Sequence, residues 1–222
     1  MRDAFPAEGT ALQRYAARFG AVEINSSFHR PHRRATYERW AASVPPGFRF
    51  AAKLPKTITH GARLIDCDAL LVKFADEVGG LGDRLGPILV QLPPSLALDA
   101  EVAASFFDRL AAVLPAAHAC EPRHASWFTA EADALLAGHR VARVAADPAR
   151  VPEAALPGGW RGLTYARWHG SPAMYRSSYD DAALAGHAGV ARAEGESWTF
   201  YDNTTLGAAT PNALALVDLL AP

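Results

Sequence analysis

Cysteine is scarce in this chain: two in 222 residues, Cys67 and Cys120, with no CxxC pair and no zinc-type spacing. That excludes a disulfide scaffold and leaves two free, buried thiols in a reducing compartment as the expectation. No apolar run approaches the ~18 residues of a spanning helix. The opening Met1-Arg2-Asp3-Ala4-Phe5-Pro6 holds no apolar core of a signal peptide, so a cytoplasmic protein without membrane association is expected. Net charge is nearly absent too, −1 at pH 7, so no global field draws the chain to nucleic acid or to an anionic surface. Nucleic acid stays open only through a local basic patch. Also lacking are internal repeats, low-complexity tracts, HxH or HExxH pairs and a GxSxG elbow.

What is present is a recurring pattern. Seven short apolar runs end on a charged or amide residue: Val22–Asn25, Phe48–Lys53, Ile88–Gln91, Ala119–Arg123, Val141–Asp147, Tyr165–His169 and Thr199–Asn203. Amphipathic stretches lie between them, with apolar residues at helical spacing: Leu12, Tyr15, Ala16 and Phe19; Tyr37, Trp40 and Ala41; Leu70, Leu71, Phe74 and Val78; Val102, Phe106, Leu110 and Val113; Phe128, Ala132 and Leu135; Leu184, His187 and Ala191; Ala213, Leu216, Val217 and Leu220. Thr10, Asp99 and Ser126 stand where helix caps are expected. Asp147 to Gly162 is rich in proline and glycine and reads as a loop with at most one helical turn.

Strict alternation of strand and helix predicts parallel strands with helices outside, an α/β fold of the TIM-barrel-like (β/α) class. One domain covering residues 1–222 fits the length, since such barrels run to about 200–250 residues. The chain opens on a helix, about residues 10–19, and closes on one, about 207–220, with only seven strands recognisable. Either the usual first strand is missing from this sequence or the barrel is open at that seam, where unpaired edges invite self-association. A flavodoxin-like sheet is the rival, but seven strands are many for it and no Gly-rich phosphate turn follows the first.

In a barrel the polar strand ends line the mouth where ligands bind. Side-chain parity pairs Glu23 with Asn25, Glu121 with Arg123, and Arg167 with His169, while Lys53, Gln91 and Asp147 add one tip each. At the last strand Asp202 and Asn203 have opposite parity; Asn203 is favoured at the rim. His60 and the stretch Met174–Tyr179 would border the opening. Acids and bases nearly cancel in this ring, unlike the anionic and neutral donor set of a metal site. No cofactor is expected, and a divalent metal on His60 or His169 with Glu23 or Glu121 is the lesser alternative. Arg123, Arg167 and Lys53 suit a small anionic ligand, with Glu23 or Glu121 as acid/base and His169 moving a proton. The competing structural account is an ion-pair layer, since buried charges must be paired. His29, His32, His118, His139 and His187 read as surface or helix-end histidines. Ser26, Ser27 and Ser126 lie near strand ends without an elbow motif.

These same stretches resemble the domain of unknown function 72, or YecE-like, family. The matching runs are Val22–Phe28, Phe48-Arg49-Phe50 with Lys53, Ile58-Thr59-His60, Gln91-Leu92-Pro93-Pro94-Ser95, Glu121–Trp127, Arg167-Trp168-His169-Gly170, Asp202-Asn203-Thr204 and Asn212. The resemblance implies a TIM-barrel-like fold with shared polar positions at Glu23, Asn25, Lys53, His60, Gln91, Glu121, Arg123, His124, Arg167, His169 and Asn203. It carries no settled activity, so it implies a site without a reaction. Three departures stand out: a missing Gly-Thr-Ser-Gly-Trp-like opening strand, His29 in place of an aromatic, usually tyrosine, and Pro122 in place of a bulky apolar residue.

The leading expectation is an enzyme, hydrolase-like, acting on an anionic small molecule or phosphoester. Glu23, Glu121 and His169 are the catalytic candidates, and Asn25, Lys53, His60, Gln91, Arg123, Arg167 and Asn203 the substrate-binding ones. The alternatives are a ligand- or nucleic-acid-binding module that would stack bases on Trp127, Trp168, Tyr175 and Tyr179, a metal-dependent phosphodiester hydrolase, and a scaffold that lost catalysis.

Overall fold

The structure, a computed structural model, describes residues 4–193 and 195–221. Residues 1–3, half of the N-terminal segment expected to supply no strand, lie outside the described residues. The chain divides into two compact units. One runs to Gln91 and takes in Glu101–His118; the other joins Leu92–Ala100 to the chain from Ala119 onward.

The first unit opens with α1 (Ala11–Ala16), held by a capping box in which Thr10 and Gln13 satisfy each other's backbone N–H groups. Then follow β1 (Ala21–Ile24), the short α2 (Ser26–His29), α3 (Arg34–Ala42), β2 (Arg49–Lys53), α4 (Asp68–Val78), β3 (Leu85–Gln91) and α5 (Ala100–Val113). The three strands are parallel in the order β1-β2-β3. Both faces of β2 and β3 are buried, which explains their continuous apolar character. Leu71, Phe74 and Val78 of α4 and Phe106 and Leu110 of α5 are buried as their spacing predicts, whereas Leu70, at the start of the same stripe, is exposed and Val102 and Val113 are half-buried. Unforeseen by periodicity is a π-helical turn at Thr57–Gly61, which carries His60 directly after β2.

The second unit contains β4 (His118–Glu121), α6 (Ala130–Gly138), β5 (Val141–Arg143), β6 (Ala145–Asp147), β7 (Gly158–Gly159), β8 (Leu163–Trp168), α7 (Asp181–Ala191), β9 (Glu196–Tyr201) and α8 (Ala209–Leu220). All seven apolar runs thus form strands. The run Val141–Asp147 breaks at Val144, whose N–H bonds the Cys120 carbonyl at 2.9 Å. Its first half sits in the order β4-β5-β7 and its second in β6-β8-β9. The Pro/Gly-rich loop holds the single helical turn expected, Pro152–Ala155, plus the two-residue β7, antiparallel to β5.

Three local expectations are corrected. Ser126 does not cap α6: Thr129 accepts the Ala132 N–H there, while Ser126 Oγ accepts the Leu98 N–H at 2.7 Å. His118 and His187 are buried rather than superficial, His118 opening β4 and His187 lying on the inner face of α7. Burial pushes both imidazoles down to about 4. Both cysteines are free and buried. Among the described residues no helix is long and apolar enough to cross a membrane.

Candidate functional site

In the first unit the strand register sets the polar rim. Glu23 pairs with Ala51 and Lys53 with Leu89, so alternation puts Glu23, Lys53 and Gln91 on one face, while Asn25, already in helical conformation, leaves the strand. Asn25 Nδ2 donates to Glu23 Oε1 at 2.7 Å. Ser27 Oγ reaches the carbonyls of Ile24 (3.0 Å) and Lys53 (2.7 Å), tying the start of α2 to the end of β2. That tie sets Phe28 under Lys53, whose Nζ lies 4.2 Å from the ring centroid, a cation–π contact. His60 meets the same ring edge-on at 5.1 Å, with its Nδ1 2.8 Å from Thr59 Oγ1. Gln91 is buried at the end of β3. Phe28 is the element that polar-residue reasoning passed over; its signal was an aromatic placed just beyond the Glu23–Asn25 tips.

The second unit assembles a denser network. Glu121 ends β4 with a side chain only 4 % exposed. Its Oε1 accepts from Arg123 Nε (3.0 Å) and Nη2 (2.9 Å), and its Oε2 from Arg167 Nη1 (2.6 Å). Arg167 is 2 % exposed, and its Nη2 lies 3.5 Å from Asp202 Oδ2. His169, equally buried, has Nδ1 3.2 Å from Asp202 Oδ2 and Nε2 3.4 Å from Arg167 Nη1. A guanidinium only donates, so Nε2 is assigned as the acceptor and the ring proton to Nδ1, which donates to Asp202. Arg123 differs from Arg167 in being 23 % exposed, and no hydrogen bond to the described residues engages its Nη1.

Register settles which strand tips belong here. Arg167 pairs with Phe200 and with Ala146, so Asp202 shares the face of Arg167, whereas Asp147 and Asn203 fall on the face of Trp168. Two expectations change accordingly. Asn203, expected at the rim, is fully buried on the helix side: its Nδ2 donates to the Ser177 carbonyl (2.8 Å) and to Asn212 Oδ1 of α8 (2.9 Å). Asp147 accepts the Tyr179 hydroxyl at 2.7 Å, behind the network rather than in it. That bond and burial raise the Tyr179 phenol well above its ordinary range. Tyr179 Oη also accepts the Gly170 N–H at 2.8 Å. Gly170 itself needs φ +92°, and a Cβ there would stand 2.8 Å from the Ser177 carbonyl.

The segment from Gly170 to Tyr179 is thus pinned at both ends, and between them Tyr175 turns back. Its φ is +66°, its N–H bonds the His169 carbonyl, and its ring lies edge-on to the His169 ring at 5.6 Å. Tyr175 is 38 % exposed, but Trp127, Trp168 and Tyr179 are buried in packing. Only one of the four rings considered for stacking bases is therefore presented to solvent. His124, beside Arg123, caps a short turn: its Nδ1 faces Ser126 Oγ at 2.9 Å and the Ser126 N–H at 3.2 Å. Among the described residues no group of three or more His, Cys, Asp or Glu converges in a way that would hold a metal ion.

The family model described as "Protein of unknown function DUF72" matches residues 3–222. The chain belongs to this family. Among curated relatives, the UPF0759 protein YecE of Escherichia coli strain K12 is 36 % identical over 84 residues, 38 % of this chain. The match spans only 31 % of that relative's length. Among solved structures, a DUF72 family protein of Thermotoga maritima aligns with a TM-score of 0.77 and 23 % identity, covering 97 % of this chain and 92 % of that one. A DUF72 family protein of Enterococcus faecalis gives 0.79 at 19 % identity, covering 95 % and 93 %. At these identities the likeness concerns the fold, and the mostly parallel α/β order is that of a TIM-barrel-like DUF72 protein.

Proposed function

We propose that this DUF72 chain is an enzyme that performs acid–base chemistry on a small anionic molecule at the Glu121–Arg123–Arg167–His169–Asp202 network. The observation carrying this reading is the state of Arg123. Its Nε and Nη2 are clamped on buried Glu121, which fixes the plane of the guanidinium, while Nη1 faces no protein acceptor among the described residues. A fork held in this way is preorganised for a carboxylate or phosphate oxygen. Glu121, saturated by two arginines, serves as the orienting group rather than as a free base. The proton carrier is His169: as water bonds to the phosphorus of a phosphoester and the P–O bond to the leaving group breaks, the water's proton passes to Nε2, displacing its long 3.4 Å contact with Arg167, and Asp202 stabilises the imidazolium through Nδ1–H.

Inorganic phosphate titrated calorimetrically, with p-nitrophenyl phosphate as a turnover probe, tests both halves. Arg123→Gln is expected to weaken phosphate binding about 10- to 100-fold, the worth of one hydrogen bond to a charged group. His169→Gln is expected to abolish turnover while leaving phosphate binding within about twofold of wild type, since the anion contact is Arg123's. Absence of phosphate binding by the wild type, or equal binding by Arg123→Gln, refutes the anion site. Turnover unchanged in His169→Gln refutes the proton role.

A further inference from the structure

We propose that Ser26 and His32 form a nucleophile–base pair that accepts the acyl group of a carboxylic ester, an activity that goes beyond the function proposed above and does not rest on it. Ser26 stands at a strand-to-helix turn: β1 ends at Ile24, Asn25 turns the chain, and Ser26 opens α2. Nucleophile elbows also place their serine between a strand and a helix; Ser26 shares that position without the elbow's strained backbone. Ser26 Oγ lies 2.7 Å from His32 Nε2, within the range for direct proton transfer. The imidazole is held by packing, edge-on to Tyr37 at 5.8 Å and to Trp40 at 5.2 Å, rings that themselves meet at 5.4 Å. Ser26 and His32 are both partly exposed, so an ester can reach them. The adjacent Ser27 gives the contrast: it is buried, and its hydroxyl is spent on two carbonyls.

The base is in its working form at neutral pH. Desolvation lowers the His32 pKa, the charge of Arg30 lowers it further, and Glu77 opposes them. In the reaction, the Ser26 hydroxyl proton passes to His32 Nε2 as Oγ bonds to the ester carbonyl carbon and the π pair moves onto oxygen. Collapse breaks the bond to the leaving alkoxide, which takes the proton from His32. Water repeats the sequence on the acyl-serine and releases the acid and the free serine.

The full chain is treated with a fluorophosphonate probe, which phosphonylates activated serines with loss of fluoride, and the modified peptide is located by mass spectrometry. Labelling is expected at Ser26 and not at Ser27, absent in Ser26→Ala, and at least about 100-fold slower in His32→Gln of unchanged circular dichroism. In the wild type the labelling rate should rise with pH through one ionisation below about 6.5. No labelling at Ser26, an equal rate in His32→Gln, or a rate indifferent to pH overturns the proposal.

Discussion

Replacing Glu121 by glutamine should destabilise the second unit more than replacing Arg123, although the two residues share two hydrogen bonds. Glu121 receives three N–H bonds, of which the pair from Arg123 comes from a side chain in contact with solvent. Arg123→Gln removes two bonds from a buried carboxylate but leaves the Arg167 bond to it in place, a loss of about 1–3 kcal/mol. The bond from Arg167 is different. That guanidinium is buried, and its Nη2 stands 3.5 Å from the Asp202 carboxylate. Removing the Glu121 charge leaves a buried cation undercompensated, a situation that costs about 3–5 kcal/mol. With m of about 1–3 kcal/mol/M in urea, the Glu121→Gln midpoint should fall by at least about 1 M at constant m, and Arg123→Gln by a smaller amount. The double replacement Glu121→Leu with Arg167→Met should recover most of the loss, since a packed apolar pair of similar volume avoids the desolvation of both charges. Equal midpoint shifts for Glu121→Gln and Arg123→Gln would refute the division of labour drawn here, as would a double variant no better than the single one.

Two further outcomes follow from the buried groups. His118 and His187 have folded pKa values of about 4 against about 6.5 unfolded, so the unfolded chain binds more protons between those values. Stability is therefore full above about pH 6.5, declines as pH falls toward 4, and levels off below; the decline is at most about 3 kcal/mol per histidine, less where water reaches the ring. His187→Phe, which keeps the stack on Trp168 at 4.0 Å, should flatten its share of the slope between urea midpoints measured at pH 7.5 and 4.5, and an unaltered slope would contradict it. Asn212→Ala should leave the Asn203 amide and the Tyr179 N–H without their shared acceptor, costing about 1–3 kcal/mol and speeding hydrogen exchange across residues 170–179 selectively. Uniform acceleration over the whole unit would indicate global loosening instead.

The central strands were legible because both of their faces are buried, as in β8, where all six residues are buried and only Thr164 and Arg167 are polar; β1 and β9 are half-buried and were legible from their polar ends. Boundaries blurred where tertiary bonds intervene: nothing in Val141–Asp147 announces the break at Val144, since that break is set by a carbonyl two strands' worth of sequence away. The polar tips were legible as residue types but not as roles. Parity alone separated Asp202 from Asn203 without saying which faced the network; the register of β8 against β9 decides it. His187 was misread because a histidine at helical spacing looks amphipathic, and only the aromatic rings of Trp168, Tyr179 and Tyr201 around it reveal a buried one.

Asp147 brackets an excursion of the chain with one residue. Its carbonyl accepts the His169 N–H at 2.8 Å, where the excursion departs, and its carboxylate accepts the Tyr179 hydroxyl at 2.7 Å, where it returns. Both anchor points are fixed from a neighbouring strand, and Tyr175 and Ser177 add backbone bonds between them, so the freedom that remains lies in the exposed side chains of Pro172, Ala173, Met174 and Arg176. Exchange of those side chains alters what borders the imidazole without moving its backbone, which makes them the natural place for such a scaffold to diversify what it admits.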